Sequence, residues 1–325
     1  MVFDRELQRF NNLMKRRHFL KTTAGAAACC TTPAMAASED PEEILIDVHQ
    51  HLNYLDRKNE AMLRHQRAMG VSKTVLLPAG SDVHHEATHL GKSNGLAARV
   101  SGTAEAARLA TEHPAEFVYF ANEVPGIETT KAELEKWLKR GAVGIGEMKF
   151  GLACDSKEMR LVYDIAKGFD VPVLLHFEHK RYNHGFEHFH RILEAYPTVT
   201  FFGHAQTWWG NIDAKHNQAV LYPTGKVTPG GLTDKYLADY PNMFGDLSAG
   251  SGQKSLTRDL EHAAAFLLRH QDKLCFGSDC HDATGDGAKC IGAGTRDVIR
   301  KLVPDAAVLE KIFAKNARRT IMGLA

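Results

Sequence analysis

The chain has 325 residues, with 40 Lys and Arg against 39 Asp and Glu, a formal net charge of +1, 44% hydrophobic and 24% charged residues. That balance excludes a largely disordered chain, and it argues against nucleic acid as the main partner, which calls for a basic excess. Histidine stands out, at 18 residues beside 3 Trp and 6 Cys, because it is the commonest metal ligand.

The first element is an address. Lys15–Lys21 reads K-R-R-H-F-L-K, and a small, weakly apolar stretch follows to Ala37, with A-M-A at Ala34, Met35 and Ala36. A basic segment, an apolar segment and a small-residue cleavage site make a secretory signal peptide over residues 1–36. Arg16 and Arg17, followed by Phe19 and Leu20, resemble the twin-arginine signal. The expected partner is the twin-arginine export machinery, and the expected location is periplasmic or otherwise exported. The apolar stretch falls short of the roughly 20 residues a membrane span needs, so no stable membrane insertion is expected. The start stays open between Met1 and Met14, because residues 1–13 resemble no part of such a signal. Cys29 and Cys30 leave with it. An oxidising compartment permits a disulfide among Cys154, Cys280 and Cys290, but no spacing dictates one.

Residues 37–325 then alternate strand and helix as a single domain. Short apolar or β-branched runs stand at Ile44–Val48, Lys73–Pro78, Phe117–Val124, Ala142–Phe150, Val171–Phe177, Val199–His204, Met243–Leu247 and Lys273–Ser278. Helical periods lie between them at Glu60–Met69, Ala104–His113, Lys131–Arg140, Lys157–Phe169, Phe186–Tyr196, Leu232–Asp239, Leu256–His270 and Asp305–Thr320. Ser156 and Thr129–Thr130 supply helix starts, and Gly141 supplies a stop. Strands separated by helices pair in parallel through right-handed crossovers. Eight such units predict a (β/α)8 TIM barrel of α/β class. A doubly wound sheet is the alternative, weakened by the lack of a phosphate-binding glycine loop in the first unit.

In such a barrel the C-terminal strand ends share one face. Strand 1 ends D-V-H-Q-H, and its His49 and His51 point the same way at i and i+2. Strand 4 carries Glu147 and Lys149 on one face, strand 5 ends at His176, strand 6 at His204 and strand 8 at Asp279. Each alone is weak evidence, since a lone strand-end His is more often a hydrogen-bonded structural residue. Together, five of eight expected strands deliver a His, Glu or Asp to one ring.

This pattern resembles the amidohydrolase superfamily, metal-dependent hydrolases on a (β/α)8 barrel. The closest branch is the amidohydrolase-related group, with D-L-S at Asp246–Ser248 and K-I-F-x-x-N-A at Lys311–Ala317. The resemblance implies that His49, His51 and Asp279 hold one ion, with His176 a further ligand of it or of a second ion. Glu147 or Lys149 would bridge two ions, with Glu147 preferred because it needs no modification; the alternative is a Glu147–Lys149 salt bridge. Imidazoles and carboxylate suit Zn2+, with Mn2+ or Fe2+ as other candidates, one or two ions in all. Asp279 and His204 are the expected catalytic residues. Asp279 would take the proton of a metal-activated water and hand it to the leaving group; His204 would polarise the substrate carbonyl, orient the water or ligate metal.

The expected activity is hydrolysis of an amide, ester or lactone bond of a small-molecule substrate. One alternative is non-oxidative decarboxylation on a single ion, with Glu147 turned away. Another is a non-catalytic periplasmic metal- or ligand-binding protein. Loop residues His84, His85 and His89, and His179, Arg181, His184, His188 and His190, read as mouth residues or as solvated loop. Trp208 and Trp209 read as pocket lining or loop packing, and Cys275 as barrel core.

Overall fold

Eight strands are present among the described residues: β1 Leu45–Gln50, β2 Val71–Leu76, β3 Phe117–Tyr119, β4 Ile145–Met148, β5 Val173–His176, β6 Phe201–His204, β7 Met243–Asp246 and β8 Leu274–Cys275. The computed structural model describes residues 43–91, 93–286 and 289–324. The export signal expected over residues 1–36, with both candidate starts, Arg16, Arg17, Cys29 and Cys30, lies outside the described residues.

All strand pairs are parallel, in the orders β1-β2-β3 and β4-β5-β6-β7-β8. Backbone bonds cross both seams. Ala121 N donates to Gly144 O at 2.8 Å and Val143 N to Tyr119 O at 2.9 Å between β3 and β4. Val48 N donates to Phe276 O at 3.1 Å and Asp279 N to His49 O at 2.8 Å between β8 and β1. The protein is a (β/α)8 TIM barrel, as the alternation predicts.

The helices are α1 Asn59–Ala68, α2 Thr103–Glu112, α3 Thr130–Lys139, α4 Lys157–Phe169, α5 His190–Ala195, α6 Ala205–Gly210, α7 Leu232–Asp239, α8 Ala249–Thr257, α9 Leu260–Arg269, α10 Ile291–Leu302, α11 Ala306–Glu310 and α12 Asn316–Thr320. The expected cap at Ser156 is present, its side chain accepting from Met159 N. Gly141, expected to stop α3, has φ +104°, a conformation that favours glycine.

Four expectations needed correction. The helix expected over Leu256–His270 is two, because the Asp259 side chain accepts from His262 N and starts α9 afresh. The last helix is interrupted by a π-helical turn at Lys311–Lys315. Helix α10 escaped the apolar period because small or polar residues, Gly292, Ala293 and Thr295, hold part of its buried face. The ladder of β8 is also shorter than expected. Past Cys275 the backbone finds other partners: Phe276 N donates to Ile312 O at 3.0 Å and Ser278 N to Asp47 Oδ1 at 2.8 Å.

An apolar cluster includes Leu174, Phe202, Phe244 and Cys275 together with Ala314, Ala317 and Ile321 of the C-terminal segment. Strand residues two apart share a face. His176, His204 and Asp246 therefore stand one step beyond Leu174, Phe202 and Phe244 on β5, β6 and β7, and Cys275 is core as expected.

Candidate metal centre

β1 brings His49 and His51 to one point, with their Nε2 atoms 3.1 Å apart. Their outer nitrogens are occupied. His49 Nδ1 lies 2.7 Å from Asp246 Oδ2, and His51 Nδ1 lies 2.7 Å from Leu77 O. Carboxylate and carbonyl oxygens only accept, so both Nδ1 atoms carry the proton. Both Nε2 atoms are then bare lone pairs facing each other, an arrangement that calls for a cation between them.

Carboxylates close around that point. Asp279 Oδ1 is 3.7 Å from His49 Nε2 and 3.5 Å from His51 Nε2, and Glu147 Oε2 is 3.6 and 3.3 Å from the same atoms. Asp279 Oδ1 is buried without a hydrogen-bond partner, a costly state for a carboxylate oxygen unless something positive meets it. The other oxygen of Glu147 faces a second group. Oε1 is 2.5 Å from His176 Nδ1 and 3.8 Å from His204 Nε2. Asp279 Oδ2 reaches His204 Nε2 at 3.7 Å. Glu147 thus divides the ligand atoms into a set with His49, His51 and Asp279 and a set with His176 and His204. Both sets are compact enough to hold an ion.

The electrostatics agree. Burial opposes charge on His49, yet Asp279 and Asp246 hold its pKa well above the usual imidazole value; the carboxylates draw positive charge to Nε2, and a divalent ion there would take the place of a second proton. Burial would raise Glu147 and Asp279, but the imidazoles around them hold Glu147 well below, and Asp279 below, the carboxylate range. His204 is lowered by burial and by neighbouring His49, which keeps it neutral and suited to ligation. The buried carboxylates of Glu147 and Asp246 and the partly buried one of Asp279 converge on the histidines. The donor set fits one or two divalent transition ions.

The structure brings all six expected residues together: His49, His51, Glu147, His176, His204 and Asp279. Lys149 does not join them; its Nζ lies over the Tyr182 ring, 5.3 Å from the centroid. Glu147, not Lys149, occupies the space between the two sets.

Several supporting residues carried no expected role. Asp246 ends β7 as the other acids end their strands, and D-L-S marked it. Its Oδ2 also lies 3.3 Å from His204 Nδ1, and Ser248 Oγ approaches both His204 Nδ1, at 3.0 Å, and Asp246 Oδ2, at 2.8 Å. Glu178 Oε2 stands 3.4 Å from His176 Nε2. The Tyr54 ring meets His51 edge-on at 5.1 Å, and Asp279, then burial, push its phenol pKa up, so its hydroxyl keeps its proton.

The rim uses part of the loop set. Arg181 donates to Glu178 Oε1 at 3.2 Å, and His89 hydrogen-bonds the Tyr182 hydroxyl, whose ring meets His176 edge-on at 5.5 Å. The others turn elsewhere. His85 Nδ1 accepts from Ala87 N, the His184 backbone pairs with Leu152 and Cys154, His188 faces Glu187 at 4.0 Å, and His190 lies near the Tyr236 ring. Trp208 and Trp209 are packing rather than pocket. Both are buried in α6, and a Cβ on Gly203 would come within 2.4 Å of the Trp208 ring. Trp209 Nε1 donates to Asp246 O at 3.1 Å, bracing the end of β7.

Comparison with solved structures finds the same fold. A 2,6-dihydroxybenzoate decarboxylase superposes with TM-score 0.56 at 14% identity, covering 86% of this chain and 99% of that one. A probable 2-pyrone-4,6-dicarboxylic acid hydrolase from Acinetobacter baumannii gives 0.54 at 12%, covering 85% and 98%. A TatD homolog from Escherichia coli gives 0.55 at 14%, covering 85% and 97%. At such identities the likeness speaks for the fold alone. The search of curated proteins returned no match. The amidohydrolase family model, described as "Amidohydrolase", matches residues 46–321. With that match over most of its length, and with this cluster of candidate ligands in its barrel, the chain belongs to the amidohydrolase family, whose superfamily members are metal-dependent enzymes.

Proposed function

We propose that the protein is a hydrolase that cleaves an amide, ester or lactone bond of a small molecule at a two-ion centre bridged by Glu147. The supporting observation is the orientation of Glu147, with Oε2 toward His49 and His51 and Oε1 toward His176 and His204. A single-ion decarboxylase would leave this carboxylate turned away from the centre. His49, His51 and Asp279 would hold one ion, and His176 and His204 the other, with Zn2+ first among the candidates. Such ions, when bound, act as Lewis acids and bring the pKa of coordinated water toward about 7.

The chain's own residues supply the rest. Asp279 Oδ1, with no competing hydrogen-bond donor, accepts the proton of the attacking water and returns it to the leaving group. Asp246 holds the proton at His49 Nδ1, keeping Nε2 available. Tyr54 and Tyr182 flank the histidines on two sides, and Arg181 and Lys149 beside Tyr182 give that side of the mouth a positive rim suited to an anionic substrate group. Residues 37–325 form the catalytic domain, and residues 1–36 direct export to the periplasm through the twin-arginine route.

The test pairs metal content with a substrate panel. Protein loaded with Mn2+, which suits nitrogen and oxygen ligands and not thiolates, should carry about two equivalents and hydrolyse a lactone, ester or amide. Glu147→Gln should hold about one and lose turnover by roughly 10²-fold or more. One equivalent in the wild type, with CO2 release from an aromatic acid and no hydrolysis, overturns the proposal in favour of decarboxylation.

A further inference from the structure

A second cluster of ligand atoms lies away from this centre. His65, Cys280 and Cys290 present Nε2 and two sulfurs within reach of one another, all three residues buried. Cys280 follows β8, Cys290 is the N-cap of α10, and His65 sits on α1. Cys290 Sγ is 3.6 Å from Cys280 Sγ and 3.2 Å from His65 Nε2, and the thioether Sδ of Met69 lies 3.8 Å from it as a fourth soft donor.

We propose that His65, Cys280 and Cys290 form a structural site for one thiophilic divalent ion of the Zn2+ type, independent of the catalytic centre. The spacing argues for it. Tetrahedral Zn2+, with bonds of about 2.3 Å to sulfur and about 2.0 Å to nitrogen, has sulfur–sulfur edges near ~3.7 Å and sulfur–nitrogen edges near ~3.5 Å. The observed edges are within a few tenths of an ångström of both.

The state of His65 argues for it too. Gln66 Nε2 donates to Asp47 Oδ2 and Thr74 Oγ1, each at 2.8 Å. Gln66 therefore turns its Oε1 to His65 Nδ1, at 2.9 Å. An amide oxygen only accepts, so Nδ1 bears the proton and Nε2 offers its lone pair toward Cys290. This outer hydrogen bond fixes the tautomer, as it does for metal-bound histidines generally. A disulfide would need the two cysteines and would leave this arranged imidazole without a purpose. The surroundings are apolar, with Met69 and Ala293 buried beside the cysteines and Val71 and Ile291 against them. Loading exchanges two thiol protons for one divalent ion, the protons passing to solvent. The ion would then tie α1, the start of α10 and the residue after Asp279 together.

Sulfur chemistry separates this site from the catalytic one, whose ligands are nitrogen and oxygen. The full-length protein, kept reduced with a phosphine, is titrated with Cd2+ or Co2+ while the thiolate-to-metal charge-transfer absorbance is followed. The band should saturate at one equivalent. It should vanish in Cys290→Ser, need roughly 10-fold more metal in His65→Gln, and persist in Asp279→Asn. Thermal unfolding should shift upward on loading in the proteins that show the band. A wild-type protein that is folded, has free thiols and shows no band overturns the proposal without recourse to any variant. So does a band unchanged in Cys290→Ser, or a Cys280–Cys290 disulfide in the isolated protein whose reduction opens no metal uptake.

Discussion

Asp246 Oδ2 and His49 Nδ1 are joined by a 2.7 Å hydrogen bond across 197 residues of sequence, with both side chains fully buried. The bond sets which nitrogen of His49 faces the centre and makes that nitrogen more basic. Asp246→Asn keeps the shape and removes the charge. Metal affinity, measured by competition with a chelator, should fall about 10- to 100-fold. Unchanged affinity would mean that Asp246 serves the barrel and not the centre.

Ligand binding to the folded state alone raises stability by about 2.7 kcal/mol at 100 times Kd. Stripping the wild type with a chelator should therefore lower its thermal midpoint, and restoring Zn2+ should recover it. Asp279→Asn should show a smaller recovery and lose turnover by two orders of magnitude or more. The metal-free variant also loses the attraction between the Asp279 carboxylate and the imidazoles of His49 and His51, so the recovery on loading, and not the metal-free midpoint, reads the ligand role. A recovery equal to that of the wild type would show that Asp279 does not hold the ion.

Gly277 is a glycine because of what faces it. A Cβ there would lie 2.3 Å from Asp246 Oδ1 and 3.1 Å from His49 Cβ. Asp246 cannot retreat, since Oδ1 also accepts from Ser248 N at 3.0 Å. Gly277→Ala should cost about 1–3 kcal/mol and weaken metal binding with it. Gly168→Ala is the control: it sits near the end of α4 with no atom within 4 Å of the added Cβ, and it should stabilise by about 0.5–1 kcal/mol. Denaturant unfolding of the two variants checks the contrast, and equal effects would refute it.

His262 is buried with neither ring nitrogen hydrogen-bonded, and burial lowers its pKa. The unfolded chain then binds a proton more readily than the folded one. Stability should be complete above the ordinary imidazole pKa of about 6.5 and decline as pH falls below it. His216 and His270, both lowered by burial, act in the same direction. His262→Phe should flatten the decline in thermal midpoint between pH 7 and 5. A slope identical to wild type would show that His262 does not contribute.

The barrel, and the gathering of the candidate ligands at one point, were readable in the sequence because each depends on local spacing. H-x-H at His49 and His51 needs only the two-residue period of a strand, and Glu147, His176, His204 and Asp279 need only to end one. The choice of Glu147 over Lys149 was not readable in this way, since both share a face; it depends on the Tyr182 ring that takes the lysine. The supporting residues were hidden for a related reason. Asp246 was visible as a strand-end acid, but its partner is in β1, and Gln66 orients His65 only through Asp47 and Thr74. Helix α6 was obscured because its two tryptophans read as mouth or loop residues. The thiol pair was noted, but not the imidazole beside it, which arrives from α1.

The seam between β8 and β1 has one more consequence. Arg57 donates from one side to the carbonyls of Cys280 and Asp282, at 2.8 and 2.7 Å, and from the other to Gln50 Oε1 at 2.7 Å, and Asp279 N donates to His49 O. The first and the last strand thus complete the centre together. A chain still being synthesised has His49 and His51 early but lacks Asp279 until β8 has emerged. Tight metal capture at this centre would therefore report that the barrel has closed, and a polypeptide cut short before β8 would lack both the ion and the stability that an ion confers.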